Sequence, residues 1–184
     1  RYLGTDTADL SSPVAADGFA YEFDPIGNRI TATAGTATPE TYTTNELNQY
    51  TQVSGLSTQP SHDADGNLTQ QDGWFYKWNA ENRLVEAYSF AADKKLEFVY
   101  DYLGRRVEKK VTQISTATVI SEERFLYDGW NLIAAYQLQS SNLTLQTSYT
   151  WGLDLSLSLQ GAGGVGGLLG AEELTGTHQG VYAF

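Results

Sequence analysis

The sequence predicts an all-β chain: tandem β-hairpins forming a twisted or spiralling antiparallel ribbon, with little or no helix. Three observations predict it. A turn motif recurs about every 21 residues, aromatic residues alternate at i, i+2 beside it, and no 3.6-residue apolar stripe with caps occurs anywhere. A period of that length holds a strand, a tight turn and a second strand at roughly 5–6 residues per strand.

The recurring unit is an aromatic, then Asp or Asn, two variable residues, Gly or Asn, and a polar residue before an apolar one. It reads Phe23-Asp24-Pro25-Ile26-Gly27-Asn28-Arg29-Ile30 and Tyr100-Asp101-Tyr102-Leu103-Gly104-Arg105-Arg106-Val107. Variants run from Trp78-Asn79 to Asn82-Arg83-Leu84 and from Tyr127-Asp128 to Asn131-Leu132. His62 takes the aromatic place before Asp63 and Gly66, Asn45 to Asn48 lacks the adjacent aromatic, and Tyr149-Thr150-Trp151-Gly152 reads as a decayed seventh copy.

Turn chemistry explains the pattern. A type I turn favours Asp or Asn first, because the side chain accepts hydrogen bonds from N–H groups further on. It favours Gly or Asn fourth, where φ turns positive. The expected structural caps are therefore Asp24 and Gly27, Asn45 and Asn48, Asp63 and Gly66, Asn79 and Asn82, Asp101 and Gly104, and Asp128 and Asn131. The expected repeat aromatics are Tyr21, Phe23, Tyr42, Tyr76, Trp78, Phe98, Tyr100, Phe125, Tyr127, Tyr149 and Trp151, placed for cross-strand pairing. Residues 1–17 read as a lead-in, 18–160 as about seven repeats and 161–184 as a Gly-rich extended tail.

These residues resemble the YD-repeat or Rhs (rearrangement hotspot) repeat family of bacterial secreted and surface proteins, from about Tyr21 to Leu169. Tandem copies carry the resemblance, with Tyr-Asp-Tyr-Leu-Gly-Arg-Arg at 100–106 and the block from Trp151 through Gly161 to Leu169. It implies a long β-ribbon spiralling into a hollow shell that encloses or presents a C-terminal toxin, and an association with carbohydrate binding and cell contact. The sequence departs from the family in having only seven copies and in lacking the self-cleaving closing segment after Leu169.

Composition narrows the classes. Eleven Lys and Arg against 22 Asp and Glu give a net charge of −11, which repels a phosphate backbone, so no nucleic-acid partner is expected. The absence of Cys excludes disulfides, thiolate metal sites and Cys nucleophiles. The absence of Met marks the chain as a processed product or a piece of a longer protein. No apolar run approaches the ~20 residues of a membrane span.

Candidate sites read mainly as structure. Gly161-Ala162-Gly163-Gly164-Val165-Gly166 matches G-x-G-x-x-G but lacks the βαβ context that gives the motif its meaning. Asp63-Ala64-Asp65-Gly66-Asn67 resembles the start of a Ca²⁺ loop, yet Trp74 stands where the bidentate Glu belongs. The two histidines, His62 and His178, have no defined partner. The acids Glu122-Glu123 and Glu172-Glu173 face opposite sides of a strand. No catalytic, cofactor-binding or metal residue and no cofactor is expected. Six basic residues (Lys94, Lys95, Arg105, Arg106, Lys109, Lys110) cluster in the middle of the chain and acids in its first forty residues, a pattern open to contact between copies. Asn67 and Asn142 begin glycosylation sequons.

The expected function is a non-enzymatic extracellular or cell-surface structural module, building a β-shell wall or a head-to-tail fibre through strand edges and tail. The expected partner is itself or further repeats of a parent chain. The alternatives are a carbohydrate-binding surface module with glycan partners, or a fragment of a toxin-encapsulating shell.

Overall fold

A computed structural model describes residues 2–6, 9–164, 166–175 and 179–184. All regular structure among them is β, with neighbouring strands antiparallel. The chain divides into two compact units, Arg1–Tyr76 and Lys77–Phe184. That division falls inside the predicted repeat region, not at residues 17 or 160.

In the first unit, β1 (Tyr2–Asp6), β2 (Asp9–Phe23), β3 (Arg29–Ala34), β4 (Glu40–Thr44) and β5 (Tyr50–Val53) form a five-stranded sheet in sequence order. After it, β6 (Ser61–His62) pairs with β7 (Leu68–Gln71), and β7 pairs with the start of β8 (Trp74–Trp78). In the second unit, β9 (Leu84–Ser89), β10 (Lys94–Tyr100), β11 (Arg106–Gln113), β12 (Thr118–Asp128), β13 (Asn131–Gln139), β14 (Asn142–Trp151), β15 (Leu168–Glu173) and β16 (Gly180–Ala183) again follow in order. The predicted lead-in and tail thus contain strands of their own.

The motif turns share one geometry. In each, the side-chain oxygen of the first residue accepts the backbone N–H groups two and four residues on. Asp24 Oδ1 accepts Ile26 N at 3.0 Å and Asn28 N at 2.8 Å. Asn45 does so for Leu47 and Gln49, Asp63 for Asp65 and Asn67, Asn79 for Glu81 and Arg83, and Asp101 for Leu103 and Arg105, all at 2.8–3.0 Å. The fourth residue has positive φ, as at Gly27 (97°), Asn48 (61°), Gly66 (87°), Asn82 (56°) and Gly104 (83°). The backbone then bonds a second time across the turn, as Asp101 N does to Arg105 O at 3.0 Å. The extra residue shifts the register by one, so Tyr100 pairs with Arg106 and Phe23 with Arg29.

That shift sets the residue before the turn against the preceding hairpin. Tyr100 Oη donates to Leu84 O at 2.8 Å, Tyr127 Oη to Arg106 O at 3.0 Å, and Trp151 Nε1 to Leu132 O at 2.7 Å. Thr44 has no ring to offer in its copy. Its register partner Tyr50 supplies one from the opposite strand, and Tyr50 Oη accepts Arg29 N at 2.9 Å.

Four residues past the cap, a second side chain joins neighbouring turns. Asn28 Nδ2 donates to Asp24 Oδ2 at 2.8 Å and to Asn48 Oδ1 at 3.1 Å. Arg83 reaches Asp101 O at 3.3 Å, and Arg105 binds its own Asp101 Oδ2 twice at 2.7 Å while also reaching Gly129 O. A Cβ at Gly104 would stand 3.1 Å from the Arg83 guanidinium, and one at Gly66 would stand 3.3 Å from the Gln49 amide. Glycine at the fourth position thus serves both the backbone and the neighbouring side chain.

Two copies depart from the motif. Asp128 pairs directly with Asn131 across a two-residue turn, Gly129-Trp130, and Asn131 is buried. The last capped turn begins at Asp154, two residues beyond the predicted Gly152 position, with Leu157 fourth at φ 61°.

Packing is thin. Among the described residues only Val53, Ala87 and Ala134 are buried apolar side chains, and no large side chain is fully buried. Order therefore rests on ladder hydrogen bonds, cross-strand ring pairs such as Tyr42–Tyr50 at 5.5 Å, and the turn contacts. Removing the stitching hydroxyl in Tyr100→Phe is expected to lower the urea unfolding free energy by about 1 kcal/mol. Gly104→Ala is expected to cost about 1–2 kcal/mol from its positive φ alone. Part of any further loss should return in the double variant with Arg83→Ala, as the close approach to Arg83 requires.

Candidate functional site

The chemistry-bearing side chains lie in three places: the turn edge, the loop after β14, and rings stacked with arginine. At the turn edge, burial pushes the Asp24, Asp63 and Asp101 carboxyls up. The hydrogen bonds from Asn28, Asn67 and Arg105 outweigh it and leave all three below the usual carboxylate range. Their oxygens are occupied by the turn itself. Among the described residues no three His, Asp or Glu side chains gather to hold a metal ion.

The loop after β14 folds back onto the β12–β13 turn. Gln160 Oε1 accepts Trp130 N at 3.1 Å, and Gln160 Nε2 donates to Asp128 O at 2.8 Å. Asp154 anchors the loop: Oδ1 accepts Ser156 N at 2.8 Å and Ser156 Oγ at 2.5 Å, and Oδ2 accepts Ala162 N at 2.6 Å. The Ser156 hydroxyl leads in holding its pKa down to about 2, with those N–H groups acting against desolvation. Gly164 packs so closely that a Cβ there would stand 2.5 Å from Asn131 Oδ1. Among the described residues of the glycine block, 161–164 and 166 lie in turns and none in a helix. Around the Asp154 anchor, Leu153, Leu155, Leu157 and Leu159 face solvent.

The rings form pairs around arginine. The Arg29 guanidinium lies 5.0 Å from the Tyr21 ring and 5.4 Å from Tyr42. Arg106 lies 5.4 Å from Phe98 and 5.3 Å from Phe125. Both arginines stand five residues past a turn cap, each between the ring three residues before its own cap and the ring three before the next. Position by itself gives no sign of this in a single copy; alignment of the two copies would have shown it.

The other predicted residues are placed as follows. Tyr76 and Trp78 lie in β8, Tyr149 and Trp151 in β14. His62 is half-buried in β6 opposite Leu68, and His178 lies outside the described residues. Glu122 takes Arg124 at 2.9 Å and Glu123 takes Lys109 at 2.9 Å, separate ion pairs. Lys95 pairs with Glu97 at 3.0 Å, and Arg105 with Asp101. Within the basic cluster Lys95, Arg105 and Lys109 thus meet carboxylates of their own sheet, while Arg106 lies against rings.

The hairpins and their capped turns define an Rhs-like antiparallel β-repeat fold. A crystal structure of TcdB2-TccC3-TEV shares it over 98% of this chain and 10% of that one, with a TM-score of 0.50 at 16% identity. No family model matches the chain. In sequence it is 32% identical over 136 residues to the tRNA nuclease WapA of Bacillus subtilis (strain 168), covering 72% of this chain and 5% of that protein. Coverage and identity are the same against the tRNA3(Ser)-specific nuclease WapA of Bacillus spizizenii. The chain therefore spans about one-twentieth of the length of the curated relatives it matches.

These names overturn the expectation of a non-enzymatic module. Both relatives are nucleases, which are enzymes, and neither is described as a fibre-former, a shell wall or a carbohydrate-binding protein. The net charge of −11 argues against nucleic acid, but it describes this chain and not the whole of a protein of which the match covers 5%.

Two outcomes are expected at the loop. Asp154 is depressed from 3.8 to about 2, so its contribution to stability is complete above pH 3.8 and is lost as pH falls through 2. In thermal melts Asp154→Asn should fall below wild type at neutral pH, with the gap closing toward pH 2. Leu157 carries positive φ with its side chain 81% exposed, so Leu157→Gly removes strain and little packing. It should raise the unfolding free energy by up to about 1 kcal/mol.

Proposed function

We propose that the chain serves as the β-hairpin repeat region of a larger tRNA-cleaving toxin, secreted or displayed at the cell surface. The observation that carries this is the 32% identity over 136 residues to proteins named as tRNA nucleases. The matched length takes in most of the repeats, so the likeness concerns the scaffold and extends to the activity only through the whole protein. The shared fold with a TccC3-containing assembly supports a repeat region continuous with further repeats of a parent chain. The family resemblance supports the toxin setting.

The test is to produce the whole gene product that carries residues 1–184 and incubate it with total tRNA. RNA 3′ ends are then mapped by sequencing. Cleavage of one or a few tRNA species at a fixed site is the expected result. Intact tRNA, in an otherwise folded preparation, would overturn the reading.

A further inference from the structure

One hairpin carries the signals of two different turns. Asp128 and Asn131 stand at the first and fourth positions of the repeat's turn, where Asp24, Asn45, Asp63, Asn79 and Asp101 act as caps in other copies. Asparagine takes the positive φ of the fourth position in this chain, at 61° in Asn48 and 56° in Asn82. Yet the β12–β13 turn is of the shorter kind. Asp128 pairs directly with Asn131, and Gly129 supplies the positive φ, 55°, that a two-residue turn asks of its first central residue. The Asp128 carboxylate is left exposed and meets no donor among the described residues.

The strand register shows how close the two turns lie. In complete copies the residue before the cap faces the one five past the cap, as Tyr100 faces Arg106 and Phe23 faces Arg29. Here Tyr127 faces Leu132, four past Asp128, and a bulge beside it restores the outer register at Leu126 and Ala134. Moving Tyr127 onto Ile133 would remove that bulge and continue the outer register unchanged, so the capped turn fits the rest of the hairpin. The next hairpin bears the same mark. Tyr100 and Tyr127 donate to the carbonyl five past a cap, at Leu84 and Arg106, whereas Trp151 Nε1 donates to Leu132 O, four past Asp128.

The loop after β14 selects the short turn. Gln160 accepts Trp130 N at 3.1 Å and donates to Asp128 O at 2.8 Å, and a Cβ at Gly129 would run into the same amide. Trp130 N is the group a cap would claim. It lies two residues past Asp128, and the N–H groups of Ile26, Leu47, Asp65, Glu81 and Leu103 go to their own caps from that position.

We propose that residues 127–133 form a two-state turn with the loop after β14 as its latch. With Gln160 seated the turn is short. With the loop lifted, Asp128 takes Trp130 N and Leu132 N, Asn131 passes from the strand to positive φ, and Tyr127 faces Ile133. Competition between Gln160 and Asp128 for one N–H joins the loop to the hairpin, so whatever draws the loop from the sheet also resets the β12–β13 edge. The switch stands on the second unit alone and does not depend on the nuclease reading.

The test is NMR on the ¹³C,¹⁵N-labelled full chain. Wild type is expected to show cross-strand contacts from Tyr127 to Leu132. In Gln160→Ala, contacts from Tyr127 to Ile133 should appear in more than half of the molecules. The Asn131 amide coupling and Cα shift should then match those of Asn48 and Asn82, and the Trp151 indole N–H should move as its acceptor becomes Ile133 O. Asn131→Gly, which eases positive φ with Gln160 in place, should populate the same state in a measurable fraction. Adding Asp128→Ala to Gln160→Ala removes the cap and should return Tyr127 to Leu132. A Gln160→Ala chain that keeps the Tyr127–Leu132 pairing or loses both pairings would overturn the proposal, as would a double variant that still sets Ile133 opposite Tyr127. If Gln160→Ala does not fold, Asn131→Gly decides the matter, and the absence of any Tyr127–Ile133 contact there overturns the proposal.

Discussion

The fold depends on one local interaction, the side-chain oxygen of a turn's first residue accepting the N–H groups two and four residues on. At Asp24, Asn45, Asp63, Asn79 and Asp101 this bond fixes a tight turn with a positive-φ fourth residue, and at Asp24, Asn45, Asp63 and Asp101 the strand register shifts by one beside it. The shift decides which residue stands opposite the one before the turn, as Arg106 stands opposite Tyr100 and Arg29 opposite Phe23. It therefore decides which rings reach the previous hairpin, as Tyr100 reaches Leu84 and Tyr127 reaches Arg106. The same turn presents the fourth-following side chain, Asn28 or Arg83, to the next turn. A local hydrogen bond thereby sets long-range order.

Such order compensates for a scant interior. With Val53, Ala87 and Ala134 the only buried apolar residues described, apolar burial is spread over half-exposed rings and aliphatic side chains. Stability is then a sum of hairpin ladders and nearest-neighbour contacts, in the manner of other repeat proteins. The loop after β14 is the densest exception. Asp154 and Gln160 tie it to its own backbone and to the β12–β13 turn, and Gly164 admits Asn131.

The ion pairs follow the strand register, Glu123 with Lys109 and Glu108 with Arg124, and take up half of the basic cluster. What they leave over is informative. Arginines met by rings rather than carboxylates, Arg29 and Arg106, fall at one repeat position, so the repeat itself builds a cation between two aromatics. Only at Arg29 does the neighbouring loop leave room beside it. The tRNA nuclease relationship lies on a different scale, because it belongs to proteins of which this chain matches about 5%.

The sequence by itself determined the fold class, the period and five turn geometries, because each rests on residues within five positions of one another. Asp24-Pro25-Ile26-Gly27 and Asp101-Tyr102-Leu103-Gly104 carry their own conformations. The sequence did not disclose the turn at Asp154, where Leu157 takes positive φ without a glycine, since the contacts that force it come from Ala162 and the loop beyond. Nor did it disclose the two-residue turn at Asp128, held by Gln160 from thirty-two residues away. Tyr50 standing in for the ring missing at Thr44, and the placing of Arg29 against the Tyr21 and Tyr42 rings, were decided by tertiary structure alone. Pairing across strands, not adjacency along the chain, determines which charges find a partner and which are left open.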